Sequence, residues 1–83
     1  MDTLSVLKIL KTEGGFDEVH HISHFRCYRK GKKVDVEITD MGDENPNARF
    51  QVMANQEDDK TASGNPGGTI HEALHQVHWF NLD

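Results

Sequence analysis

Two stretches in the middle of the chain alternate strictly between apolar and polar positions. Phe25 and Cys27 alternate with Arg26 and Tyr28, and Val34, Val36 and Ile38 alternate with Asp35 and Glu37. A period of two marks strands buried on one face only. Arg29-Lys30-Gly31-Lys32 between them reads as a tight hairpin turn, with Gly31 suited to positive φ. A two-residue loop at Lys30 and Gly31 sets Cys27 against Val34 and Phe25 against Val36 on one face. It sets Arg26 against Asp35 and His24 against Glu37 on the other. Hydrophobic and charge matching agree on this register.

A period near 3.6 brackets the hairpin. Leu4, Val6, Leu7 and Leu10 form an apolar stripe from about Thr3 to Glu13, with Asp2 and Thr3 suited to the N-cap and Gly14-Gly15 as a stop. Phe16 should fold back onto that last turn. A final helix begins at Thr69, whose spacing to Glu72 is that of a capping box, and its stripe is Ile70, Ala73, Leu74, Val77 and Phe80. A third strand is expected over residues 48–55, burying Phe50, Val52 and Ala54, after an acidic loop at residues 41–47. Residues 57–68 are polar and rich in Gly, Asp and Asn, and read as a loop. The pattern predicts one α+β domain of order helix, three antiparallel strands, helix (αβββα), with both helices on one sheet face. Phe25, Val36, Phe50 and Leu74 are expected in a common core.

Eighty-three residues, 35% hydrophobic and 28% charged, suit one domain with one small core. No apolar run approaches membrane-spanning length. Cys27 is the single cysteine, so no internal disulfide forms and the expected compartment is the cytoplasm. The net charge of −5 is divided: residues 1–33 carry seven Lys/Arg against four Asp/Glu, residues 34–83 two against ten. Arg26, Arg29, Lys30, Lys32 and Lys33 cluster around Tyr28 at the hairpin tip. Cations interleaved with an aromatic suit phosphate and base contacts, whereas the acidic remainder repels nucleic acid.

Six histidines give the chain its other chemical candidates. His71, Glu72 and His75 spell H-E-x-x-H, and His78 follows one turn later. In zinc proteases the two histidines of that motif hold the metal while the glutamate activates water. Here Glu72 falls in the first helical turn, where it caps, and so short a chain supplies no cleft, so proteolysis is not expected. A zinc-binding module using His71, His75 and His78 remains a reading of the spacing, and His20, His21 and His24 gather at the entry to the first strand. Trp79 points away from the Val77 and Phe80 stripe, as a partner anchor or a lid under the C-terminal tail. Gly64-Asn65-Pro66-Gly67-Gly68-Thr69 lacks the lysine and spacing of a nucleotide-binding loop.

Leu7-Lys8-Ile9-Leu10-Lys11, Gly15-Phe16, Ser23-His24, then Tyr28 and a basic turn into Val34 and Val36 together resemble the HicA-type toxins, as does Gly67-Gly68-Thr69-Ile70 opening the last helix. The resemblance spans about half the chain. It implies the double-stranded-RNA-binding-like αβββα fold and RNA cleavage by a strand histidine, matched here by His24.

The leading expectation is a non-enzymatic regulatory domain that binds another macromolecule, a protein above all. Its contact surface would be the open sheet face of His24, Arg26, Tyr28, Glu37 and Met53, with the basic tip and Trp79. No cofactor is expected under that reading. A HicA-like ribonuclease using His24 and binding RNA is the alternative, a zinc module the third. No membrane partner is expected, and a homodimer is compatible with each.

Overall fold

The computed structural model describes residues 3–83, so the N-cap expected at Asp2 lies outside the described residues. Helix α1 (Thr3–Thr12) is followed by strands β1 (His21–Arg29), β2 (Lys32–Asp40), β3 (Phe50–Gln56) and β4 (Thr61–Ser63), then by helix α2 (Ile70–Gln76). Short 3-10 turns lie at Pro46–Ala48 and Trp79–Leu82. The strands form one antiparallel sheet in the order β1-β2-β3-β4, a simple meander. The α+β class is as expected; the strand count is four, not three.

The β1–β2 register agrees with the expectation at each pair: Cys27 faces Val34, Phe25 faces Val36, Arg26 faces Asp35 and His24 faces Glu37. Lys30 at φ 52° and Gly31 at φ 78° place both loop residues in the left-handed region. That is the turn whose twist matches the flanking strands. β4 escapes the sequence pattern because it buries a single side chain, Ala62, between polar neighbours. A tight turn with Asp59 at φ 69° returns the chain along β3, where Ala62 faces Ala54.

The core consists of Val34, Val36 and Ile38 from β2, Val52 and Ala54 from β3, Ala62, and Ala73, Val77 and Leu82 from the C-terminal segment. Phe50, Leu74 and Trp79 pack against it. Small residues let α2 come close: a Cβ at Gly67 would lie 2.6 Å from the Ala73 nitrogen, and one at Gly64 2.0 Å from the Gln76 carbonyl oxygen.

Three expectations require correction. The final helix stops at Gln76 because Val77 turns extended (φ −69°, ψ 133°) and the His78 N–H donates to the Ser63 carbonyl at 3.1 Å. Strand β4 thereby captures the chain, Leu82 enters the core, and Phe80, read as part of the buried stripe, is exposed. Phe25 is also exposed rather than buried, since α2 is only seven residues long and sits over β3 rather than β1, while the Trp79–Leu82 turn packs on β4. Finally, the two helices do not share a sheet face. α1 has no buried residue. A cavity of about 240 Å³ lies between its Val6, Leu7 and Leu10 and the Val19–Ile22 segment. The helix stops as expected, with Gly15 at φ 72° and the Phe16 ring against Gly14, but the connection from Glu13 to His20 leaves it at the strand's end.

Gly64→Ala should lower stability by about 1–3 kcal/mol, because the added methyl meets helix backbone that no side-chain rotation can relieve. A urea titration with an unchanged slope and a lower midpoint measures this; an unchanged midpoint would show that the helix yields without cost.

Candidate interaction surface

Alternation along the strands puts His24, Arg26 and Tyr28, Asp35 and Glu37, and Met53 and Asn55 on the sheet face opposite α2. Register lines them into rows. His24 faces Glu37 and Glu37 faces Met53; Arg26 faces Asp35 and Asp35 faces Asn55. The five side chains proposed from the sequence for the open face are thus brought together. Tyr28, 73% exposed, and Met53 are its large apolar contributors, with Ile22 at the start of β1. Trp79 is not part of it: it lies on the opposite side, half-buried against the core.

The hairpin cations do not stand alone. Arg26 Nε donates to Asp35 Oδ1 at 3.0 Å, and His24 Nε2 lies 3.7 Å from the same oxygen. The hydrogen bond from Arg26 holds the Asp35 carboxyl below its usual range. Arg29 donates to Asp83 Oδ1, as does Lys30 at 2.9 Å. These two bonds, Arg29 first, bring the Asp83 carboxyl down to about 2. Lys32 Nζ donates to Asp58 Oδ2 at 2.8 Å, which together with the Gln56 amide depresses the Asp58 carboxyl well below the ordinary value. Lys33 adds its positive field to Asp35. Four of the five tip cations are therefore matched by the protein's own carboxylates.

Farther along, Arg49 grips Asp40 through two hydrogen bonds of 2.8 and 2.9 Å, reaches Asp43 at 3.1 Å and lies over the Phe50 ring. This fixes the acidic loop against the sheet.

On the core face, the part of the sheet that α2 leaves open forms an apolar groove of about 410 Å³. Phe25 and Cys27 form one wall, Val36 and Ile38 the floor, and Leu74 and Trp79 the other wall. Sequence reasoning missed it by assigning Phe25 to the core. The available signal was residue size: Ala54, Ala62, Ala73 and Gly67 mark where a helix sits close, and none of them is on β1.

The histidines are dispersed. His71 and His75 have ring centroids 4.4 Å apart on α2, whereas His78 has left the helix and stacks on Phe80. Thr69 Oγ1 accepts the Glu72 N–H, and the Glu72 carboxylate accepts the Gly68 N–H at 3.1 Å, so Glu72 caps the helix. His20 contacts Glu18 at 2.7 Å. Among the described residues no group of three or more His, Cys, Asp or Glu is arranged to hold a metal ion. No helix among them is long and apolar enough to cross a membrane. Comparison with protein-family models, curated proteins and solved structures finds no match.

A carboxyl with a depressed folded pKa stabilises the fold above its unfolded pKa, and that contribution disappears as pH falls through the folded value. Asp83 should therefore contribute fully above its ordinary 3.8 and lose its contribution on descent to about 2. Asp83→Asn should flatten the fall of urea midpoint across that window and leave the neutral-pH slope unaltered. An identical acid profile in the variant would show that the clamp on Arg29 and Lys30 contributes nothing in solution, as exposed ion pairs sometimes do.

Proposed function

We propose that this chain is a small non-enzymatic regulatory domain that binds another protein through the open sheet face and the hairpin tip. The observation that carries this reading is the composition of that face: Tyr28 and Met53 among paired charges, with no helix among the described residues packed over it. A mixture of aromatic, thioether and balanced polar groups suits a protein contact. Binding to RNA draws on unmatched cations that displace counterions from phosphate, and Arg26, Arg29, Lys30 and Lys32 are already engaged.

One observation favours a second reading, the ribonuclease implied by the resemblance to HicA-type toxins. His24 is exposed and within 3.7 Å of the Asp35 carboxylate. An imidazole beside a carboxylate is a competent proton-transfer pair.

The two readings separate by experiment. Affinity capture from native lysate should return a protein that is lost with the double substitution Tyr28→Ala, Met53→Asp, while gel shifts at moderate salt show negligible RNA binding. RNA cleavage that vanishes in His24→Ala, with RNA affinity retained, would replace the first reading by the second. A salt-steep RNA affinity that flattens in Lys30→Ala, Lys32→Ala would also count against the first.

A further inference from the structure

The two edges of the sheet are built differently. β4 is three residues long and continues into the loop under α2, so that edge offers little to pair with. The β1 edge spans nine residues, without proline, and stays in unbroken register with β2 throughout. Natural sheets blunt such edges with proline, bulges, unpaired charge or a covering element. β1 has none of the first two, its Arg26 is neutralised by Asp35, and no residue of the strand is buried.

We propose that β1 pairs antiparallel with β1 of a second copy across a two-fold axis at Phe25, joining the two meanders into one continuous sheet. This inference uses the strand edge rather than the open face, and stands whether or not that face takes a partner.

The strand is self-complementary about that axis. Phe25 is the middle residue of His21–Arg29, so this register alone pairs the strand over its full length. A two-residue hairpin makes Arg29 and Lys32 exchange hydrogen bonds, and alternation then turns the N–H and C=O groups of Phe25 and Cys27 toward β2. Those of Ile22, His24, Arg26 and Tyr28 point outward. In the proposed register Ile22 meets Tyr28 of the second copy and His24 meets its Arg26, giving about eight hydrogen bonds from pairs that exchange both. Phe25 meets Phe25 in a pair without hydrogen bonds, where side chains approach closest.

The pairing accounts for the large apolar side chains that β1 exposes, since Ile22 is 52%, Phe25 53% and Tyr28 73% accessible. The two Phe25 rings also bring the two apolar grooves together at the axis. Moving the axis to Arg26 sets two guanidinium groups against each other, which is unfavourable. Moving it to His24 leaves Tyr28 and Arg29 beyond the paired stretch.

The experiment combines mass and crosslinking. Sedimentation equilibrium of the wild type from about 1 to about 500 µM should show the 9.4 kDa species moving toward twice that mass, as a small interface requires. His24→Pro removes an outward N–H while sparing the β1–β2 ladder, and should keep the circular dichroism spectrum but remain monomeric. Phe25→Cys in a Cys27→Ser background should form a covalent dimer under mild oxidant, because facing residues without hydrogen bonds sit about 4.5 Å apart, within disulfide reach. The wild type should not crosslink, since its Cys27 faces Ser23 of the second copy.

A wild type that stays at monomer mass throughout would overturn the proposal. So would a dimer that persists in folded His24→Pro, or a wild type that crosslinks through Cys27 while the Phe25→Cys variant does not crosslink. Should His24→Pro fail to fold, the crosslink alone decides, with its presence supporting the register and its absence overturning it.

Discussion

The left-handed pair Lys30–Gly31 is the constraint on which the rest of the molecule turns. A two-residue loop of that hand fixes which residues of β1 and β2 face each other. A slip of one residue would reverse the faces of every side chain on a strand. Val34, Val36 and Ile38 would leave the core, and Arg26 would lose Asp35. β3 takes its own place from β2, Val52 beside Ile38 and Ala54 beside Val36, and α2 lies over the small residues this alignment collects. The cost of φ 52° at a lysine is modest and local, whereas the register it secures extends over the full hairpin.

Much of that hairpin was legible because three independent signals coincided on it: alternation, charge pairing and turn chemistry. Elsewhere a single signal had to serve. Thr61-Ala62-Ser63 offers one buried methyl group, too little for a pattern, so β4 went unread. The Ile70 to Phe80 stripe keeps helical spacing to its end, but no local rule announces that the Ser63 carbonyl will claim the His78 N–H. Amphipathicity in α1 declares that a face prefers company without naming it. The five side chains of the open face followed from alternation alone, and the structure assembles them. Trp79 was separated from them because the helix it was assigned to had already ended.

The same economy explains the division of apolar surface. A seven-residue helix and one 3-10 turn cover only part of a sheet whose β1 and β2 are nine residues each. β1 therefore carries core-type side chains without a core above them. Charge follows a parallel logic: the basic hairpin and the acidic second half, opposed in sequence, meet in space at Asp35, Asp58 and Asp83. The uneven distribution along the chain thus becomes a set of internal matches rather than a basic patch.

Gln56 is the polar side chain that is buried among the described residues. Its amide donates to the Leu82 carbonyl and to Asp58 Oδ1, each at 2.9 Å. Leu82 could reach the core from several positions of the final turn, since apolar contacts are indifferent to direction. A hydrogen bond is not, and a buried carbonyl without its donor is costly. Sliding the C-terminal segment by one residue would keep most of the greasy contact but take the Leu82 carbonyl away from its Gln56 donor. The amide thereby acts as a selector among near-equivalent dockings, contributing uniqueness to an interface whose hydrophobic part contributes only adhesion.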